Sequence, residues 1–200
     1  MLNENSLYKL FKELKYKEDF IIVHPDLLSF YKFKVKIEKF WEILNKALGR
    51  NKTYIFPTFN FINKKVWSCS DTKSETGSLT EFIRVKHSVK RTTHPIHSVC
   101  VVGPKYNEIA EHNCSSSFGK NSTWEWLCEN QNVRSLALGI DFSGGATLCH
   151  YPEEKLNVFY RAYKNLNIKV YDQNNKVIKR KYTYFARKKN YENLWDNCKN

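Results

Sequence analysis

The spacing of apolar and polar positions divides the chain into alternating helices and strands. Leu7, Leu10, Phe11 and Leu14 recur at helical spacing and predict a short amphipathic helix at the start. FIIVHPDLL (20–28) is a continuous apolar run of the buried-strand type, broken at His24-Pro25. Val35, Ile37, Phe40, Trp41, Leu44 and Leu48 predict a second helix, closed by Gly49. TYIFPTFNF (53–61) predicts a strand stopped at Pro57, and SCSDTKSETGS (68–78) an exposed polar loop. SLTEFIR (78–84) opens like a capping box, with Ser78 as N-cap and Glu81 three residues on.

HSVCVVG (97–103) predicts the next strand, and a helix over 105–112 follows it. Residues 114–130 then form a Ser/Gly loop and a helix that Ser122 or Thr123 caps. VRSLALGI (133–140) is another buried strand, halted by Asp141 and Gly144-Gly145. Residues 165–188 alternate in period 2 around a DQNNK turn, which predicts an antiparallel hairpin. The expected fold is α/β (α+β): a mixed sheet flanked by helices, with a β-rich C-terminal hairpin region. Residues 1–165 are expected to form the core and 166–200 an extension of the same domain.

Composition narrows the classes. The 200 residues are 42% hydrophobic and 26% charged, which suits one packed domain and excludes a disordered chain. No apolar run reaches about 18 residues, so no membrane span is expected. The charged N-terminus has no signal-peptide core, and the six cysteines (69, 100, 114, 128, 149, 198) form no CxxC pair. They read as reduced thiols of a cytoplasmic protein. Lys and Arg number 33 against 20 Asp and Glu, a formal +13, which suits an anionic partner.

The histidines carry the candidate chemistry. His87 and His112 sit in charged surroundings and are given no role, whereas His24, His94, His97 and His150 fall at strand ends. His94-x-x-His97-x-x-Cys100 imitates metal-ligand spacing. Read as a strand, however, the run sends His94 and His97 to opposite faces, and no metal is expected. Cys149 beside His150 invites a thiol nucleophile, which strand alternation again opposes. Ser115–Ser117 could cradle a phosphate with hydroxyls and N–H groups. No GxxxxGK[ST] or GxGxxG motif is present.

TLCHYPEE (147–154) is more informative. Pro152 suits the first turn of a helix, and Glu153 and Glu154 are favoured there by the helix dipole. His150 falls at the positive end, where imidazolium is disfavoured. A carboxylate three residues on can hold one ring nitrogen while the other acts as a general base.

Taken in order, the motifs VHPDL (23–27), IFPTFNF (55–61), ETGSLTEFIR (75–84), KRTTHPIHSVCVVGP (90–104), SFGKNSTWEWL (117–127), LALGI (136–140) and TLCHYPEE (147–154) resemble those of the aminoglycoside 3-N-acetyltransferase (antibiotic N-acetyltransferase) family. The resemblance spans roughly residues 5–165. NVFYRAYK (157–164) looks more like the branch that acts on nucleotide-linked amino sugars in surface polysaccharide synthesis. The resemblance implies acetyl-CoA as co-substrate, His150 as base, Glu153 as its holder and Thr147 as an orienting group. It implies cofactor contacts from His24, Arg91, His94, His97, Ser98, Ser117 and Phe118, and acceptor contacts from Glu75, Glu81 and Arg161. Small-molecule partners are expected, with no nucleic acid and a possible homo-oligomer.

Relatives typically continue through further helices past the position of Asn200, so a less complete acceptor site and impaired catalysis form one alternative. Aminoglycoside 3-N-acetylation itself is another. A third is a nucleic-acid-binding module built on KVIKRKYTYFARKK (176–189), which interleaves cations with aromatic rings.

Overall fold

The structure, a computed structural model, describes residues 2–61, 65–86, 90–110, 112 and 115–191. His87, Cys114 and Cys198 lie outside the described residues. The elements run α1 (Glu4–Lys12), β1 (Phe20–Pro25), α2 (Ile37–Leu48), β2 (Thr53–Pro57), β3 (Val66–Ser68), α3 (Ser78–Lys86), β4 (Lys90–Arg91) and β5 (Val99–Val102). Then follow α4 (Tyr106–Ala110), α5 (Thr123–Glu129), β6 (Val133–Leu138), α6 (Phe142–Gly145), α7 (His150–Lys155), β7 (Arg161–Leu166), β8 (Lys169–Tyr171), β9 (Val177–Ile178) and β10 (Tyr182–Arg187). Residues Leu27–Phe33 and Thr147–Cys149 form 3₁₀ turns.

A five-stranded mixed sheet orders its strands β4-β5-β2-β1-β6. Strand β1 pairs in parallel with β2 and β6, while β5 runs antiparallel to β2. Period-2 alternation divides the buried side chains between two cores. Ile21, Val23, Tyr54, Phe56 and Cys100 face α1, α2 and α3, where Phe11, Phe40, Trp41 and Leu44 pack. Phe20, Ile22, Ile55, Val99 and Val101 face Ile109, Trp124, Leu127 and Tyr151 of α4, α5 and α7. Each such buried apolar side chain contributes about 1.5–3 kcal/mol. The result is a helix–sheet–helix sandwich.

Caps follow the local chemistry. Asn3 accepts the Ser6 N–H at 3.0 Å and Ser122 accepts the Glu125 N–H at 3.0 Å, starting α1 and α5. Gly49 ends α2 at φ +128°, a conformation L side chains rarely adopt. Two expectations change. Leu10 is exposed, because α1 buries only Leu7 and Phe11. Ser78 is the first residue of α3, and Glu81 spends its carboxylate on the Ser74 N–H and on Arg84.

The C-terminal segment forms the expected antiparallel hairpin, β8 against β9 around residues 172–176, with β7 and β10 pairing antiparallel outside it. Strand β8 also pairs in parallel with β3, and Trp67, Cys69, Val170 and Tyr182 make a third, small core. Strand β10 reaches the main domain where the Thr183 N–H donates to the Ser115 carbonyl at 2.8 Å.

Candidate active site

Strands β1, β2 and β6 end on one edge of the sheet. In an open α/β sheet the crevice beyond the carboxyl ends of the strands is where ligands bind. A cavity of about 260 Å³ opens there, with walls that include His24, Phe59, Glu75, Thr76, Thr80 and Thr147. His24 Nε2 is buried without a hydrogen-bond partner, and burial pushes the imidazole down to about 4, so the ring is neutral. An orphaned ring nitrogen on a cavity wall is a ready contact for a polar ligand atom. Glu75 is tied down by the Phe61 N–H at 2.6 Å.

Three residues past Thr147 of that wall a dyad begins. Residues 147–149 wind in a 3₁₀ turn and His150 begins α7, so a helical i, i+3 relation brings Glu153 over its ring. His150 Nδ1 stands 2.6 Å from Glu153 Oε2. The Tyr160 hydroxyl donates to Glu153 Oε1 at 2.8 Å, and Arg161 Nη2 lies 2.9 Å from Oε2. Burial alone would raise the Glu153 carboxyl. The hydrogen bonds from His150 and Tyr160, with the charges of His150 and Arg161, outweigh it and hold the group at about 2. With Glu153 ionised, the hydrogen in this contact belongs to His150 Nδ1, so in the neutral imidazole it is Nε2 that keeps the lone pair. Arg161 Nη2 is only 3.1 Å from Nδ1, but two donors cannot bond each other; its acceptors are Glu153 and the Phe185 carbonyl.

His150 packs edge-on against Phe118, whose ring in turn contacts His97 with centroids 4.9 Å apart. His94 and His97 stack at 5.9 Å, and both reach Ser117 Oγ. This corrects the opposite-face expectation. The strand starts only at Val99, and residues 95–97 turn because His94 Nδ1 accepts the N–H groups of Ile96 and His97. Among the described residues no cluster of His, Cys, Asp and Glu could hold a metal ion.

Other expected site residues are placed elsewhere. Arg91 is buried and donates to the Thr58 and Thr72 carbonyls, to Asn60 Oδ1 and to the hydroxyls of Thr58 and Ser98, with its guanidinium over Trp67. Arg91 and Ser98 thus clamp the loops after β2 and β3, and neither faces the cavity. Glu81 is held by Arg84 on α3, away from the dyad. Arg161 is committed to Glu153. The Ser115–Ser117 loop has its anion within the protein: Glu154, itself buried, bonds the Ser116 hydroxyl and accepts the Phe118 N–H at 3.3 Å. Cys149 lies in the 3₁₀ turn rather than on a strand.

Sequence reasoning missed Tyr160, Glu154 and Phe59. Gly119 carried a signal for Glu154, because a Cβ there would stand 2.8 Å from its Oε1.

The α/β sandwich that carries this dyad has solved relatives. The fold resembles the YokD protein from Bacillus subtilis (TM-score 0.76, 19% identity, covering 94% of this chain and 83% of that one). It also resembles AAC-VIa bound to sisomicin (0.76, 14%, 92% and 76%) and AAC-IIIb in a binary complex with CoASH (0.70, 16%, 94% and 76%). No curated protein matches the chain significantly by sequence. The family model for aminoglycoside 3-N-acetyltransferase matches residues 22–199, and the chain belongs to that family of acyltransferases. No helix among the described residues is long and apolar enough to cross a membrane.

Proposed function

We propose that the protein transfers the acetyl group of acetyl-CoA to the amine of an amino sugar, with His150 as general base. The observation that carries this reading is the dyad, in which Glu153 holds His150 Nδ1 at 2.6 Å and leaves Nε2 as the basic nitrogen. Acetyl-CoA supplies the activated acyl carbon as a thioester. His150 Nε2 takes the proton that the amine sheds as its nitrogen bonds that carbon. The same imidazolium returns the proton to the departing thiolate sulfur, so the site ends as it began. Arg161 and Tyr160 act through Glu153, keeping the carboxylate charged and aimed. Thr147 and His24, on the cavity wall, are assigned to orienting the reactants.

The acceptor we favour is a nucleotide-linked amino sugar, as used in surface polysaccharide synthesis. Aminoglycosides are polycations, whereas this chain carries a formal +13 and Glu75 is the carboxylate on the cavity wall. An anionic, phosphate-bearing acceptor suits that field. Following free thiol released from acetyl-CoA in the presence of both acceptor types tests the reading. Release with nucleotide-linked amino sugars in preference to aminoglycosides is expected. Preference for aminoglycosides would overturn the choice of acceptor, and no release with any amine would overturn the transferase assignment.

A further inference from the structure

The stacked pair His94 and His97 and the hydroxyl between them contain more information than packing. His94 Nδ1 accepts two backbone N–H groups, from Ile96 at 3.3 Å and His97 at 3.2 Å, so it carries no proton. Its Nε2 faces the Thr183 carbonyl at 3.2 Å, an acceptor only, and therefore bears the proton. That N–H also points at Ser117 Oγ, 3.2 Å away. The Ser117 hydroxyl cannot donate back to a donor. It is buried, and its remaining neighbour is His97 Nδ1 at 2.7 Å. A buried hydroxyl makes its hydrogen bond, so Ser117 donates to His97 Nδ1. The neutral His97 ring must then carry its proton on Nε2.

The position of the ring gives that proton a use. His97 is half-buried between Phe59, which lines the cavity, and Phe118, which touches His150. No group among the described residues is bonded to its Nε2. Burial, helped by the Arg161 charge, holds the imidazole well below its usual value, so it stays neutral. A neutral N–H fixed in direction costs no reorganisation when charge develops in front of it.

We propose that His97 Nε2–H is an electrophilic donor to the acyl oxygen, set in that tautomer by the relay from His94 through Ser117. This rests on the acetyl-transfer reading, and it separates two imidazoles by role: His150 presents a lone pair and His97 a proton. During attack the carbonyl π electrons move onto the acyl oxygen, where the His97 N–H meets the charge. They return as the carbon–sulfur bond breaks, and His97 keeps its proton throughout.

The test uses the full chain. Nitrogen-15 NMR of the free protein at pH 7 is expected to show His97 protonated on Nε2 alone, and Ser117→Ala to lose that single-tautomer signature. His97→Phe keeps the ring packing and removes the donor. It is expected to lower kcat by about 10²–10³-fold, the usual cost of one such donor. His97→Gln, which restores an N–H, should recover part of the rate. A proton on His97 Nδ1, or a His97→Phe enzyme with wild-type kcat, would overturn the assignment while leaving His150 untouched. A wild-type protein that released no thiol with any amine would overturn the transferase reading, and this role of His97 with it.

Discussion

His150 Nδ1 and Glu153 Oε2 lie 2.6 Å apart on the first turn of α7, and this contact ties the chemistry of the site to its stability. The Glu153 carboxyl sits at about 2 in the folded protein against 4.5 for the free group. Its stabilisation is therefore complete above about pH 4.5 and is lost as pH falls toward 2. Melting temperature measured across that window is expected to fall less steeply for Glu153→Gln than for the wild type, from a lower starting value at neutral pH. Parallel slopes would contradict the ion-pair account.

Arg91 is predicted to matter for folding rather than for the cofactor. Arg91→Met strands the Thr72 carbonyl and takes one of two donors from the Thr58 carbonyl and from Asn60 Oδ1, which keep the Ser98 hydroxyl and the Trp67 N–H. Denaturant titration should show a loss of about 1–3 kcal/mol, the cost of one stranded buried group. The protein that remains folded should bind CoA as the wild type does. A stable variant with weakened CoA binding would return Arg91 to the cofactor site.

Gly119 leaves room for the Glu154 carboxylate. In Gly119→Ala the new Cβ meets Glu154 Oε1 at 2.8 Å and Ser116 Cβ at 2.9 Å. Glu154 is held by its own bonds and cannot simply swing away. A loss of about 1–3 kcal/mol is expected by denaturant titration, the range for overpacking. An unchanged midpoint would show that the loop yields freely.

Direct transfer predicts that Cys149 is dispensable. Its neighbour His150 turns Nδ1 to Glu153, and the thiol stands in the 3₁₀ turn before α7. Cys149→Ala should keep most of its turnover in the thiol-release assay, and mass spectrometry after mixing with acetyl-CoA should show no acetylated enzyme. Complete loss of turnover would instead support an acyl-enzyme on Cys149.

Local patterns carried much of the fold. Apolar runs marked β1, β2, β5 and β6, Gly49 marked the end of α2, and Pro152 with its glutamates marked α7. The pairing of β8 with β3 was not legible, since the two strands lie about a hundred residues apart and neither pattern names its partner. At the site, the His150–Glu153 spacing is local and could be read directly. His94 and His97 were misread because a side chain accepting backbone N–H groups turns the chain where alternation predicts a strand. Arg91 and Glu81 were placed in the site by motif alone; Glu81 pairs with Arg84 one helical turn on, a spacing the sequence does show, whereas Thr58, Thr72 and Ser74 are loop partners that no periodicity connects to them.

The central claim is that His150 Nε2 is the base for acyl transfer. The most direct measurement is thiol release by wild type and His150→Ala with acetyl-CoA and an amino sugar that the wild type accepts, alongside CoA binding by calorimetry. The account predicts a fall in kcat of about 10²–10⁴-fold, the range for losing a general base, with CoA affinity retained. Wild-type turnover in His150→Ala would contradict it.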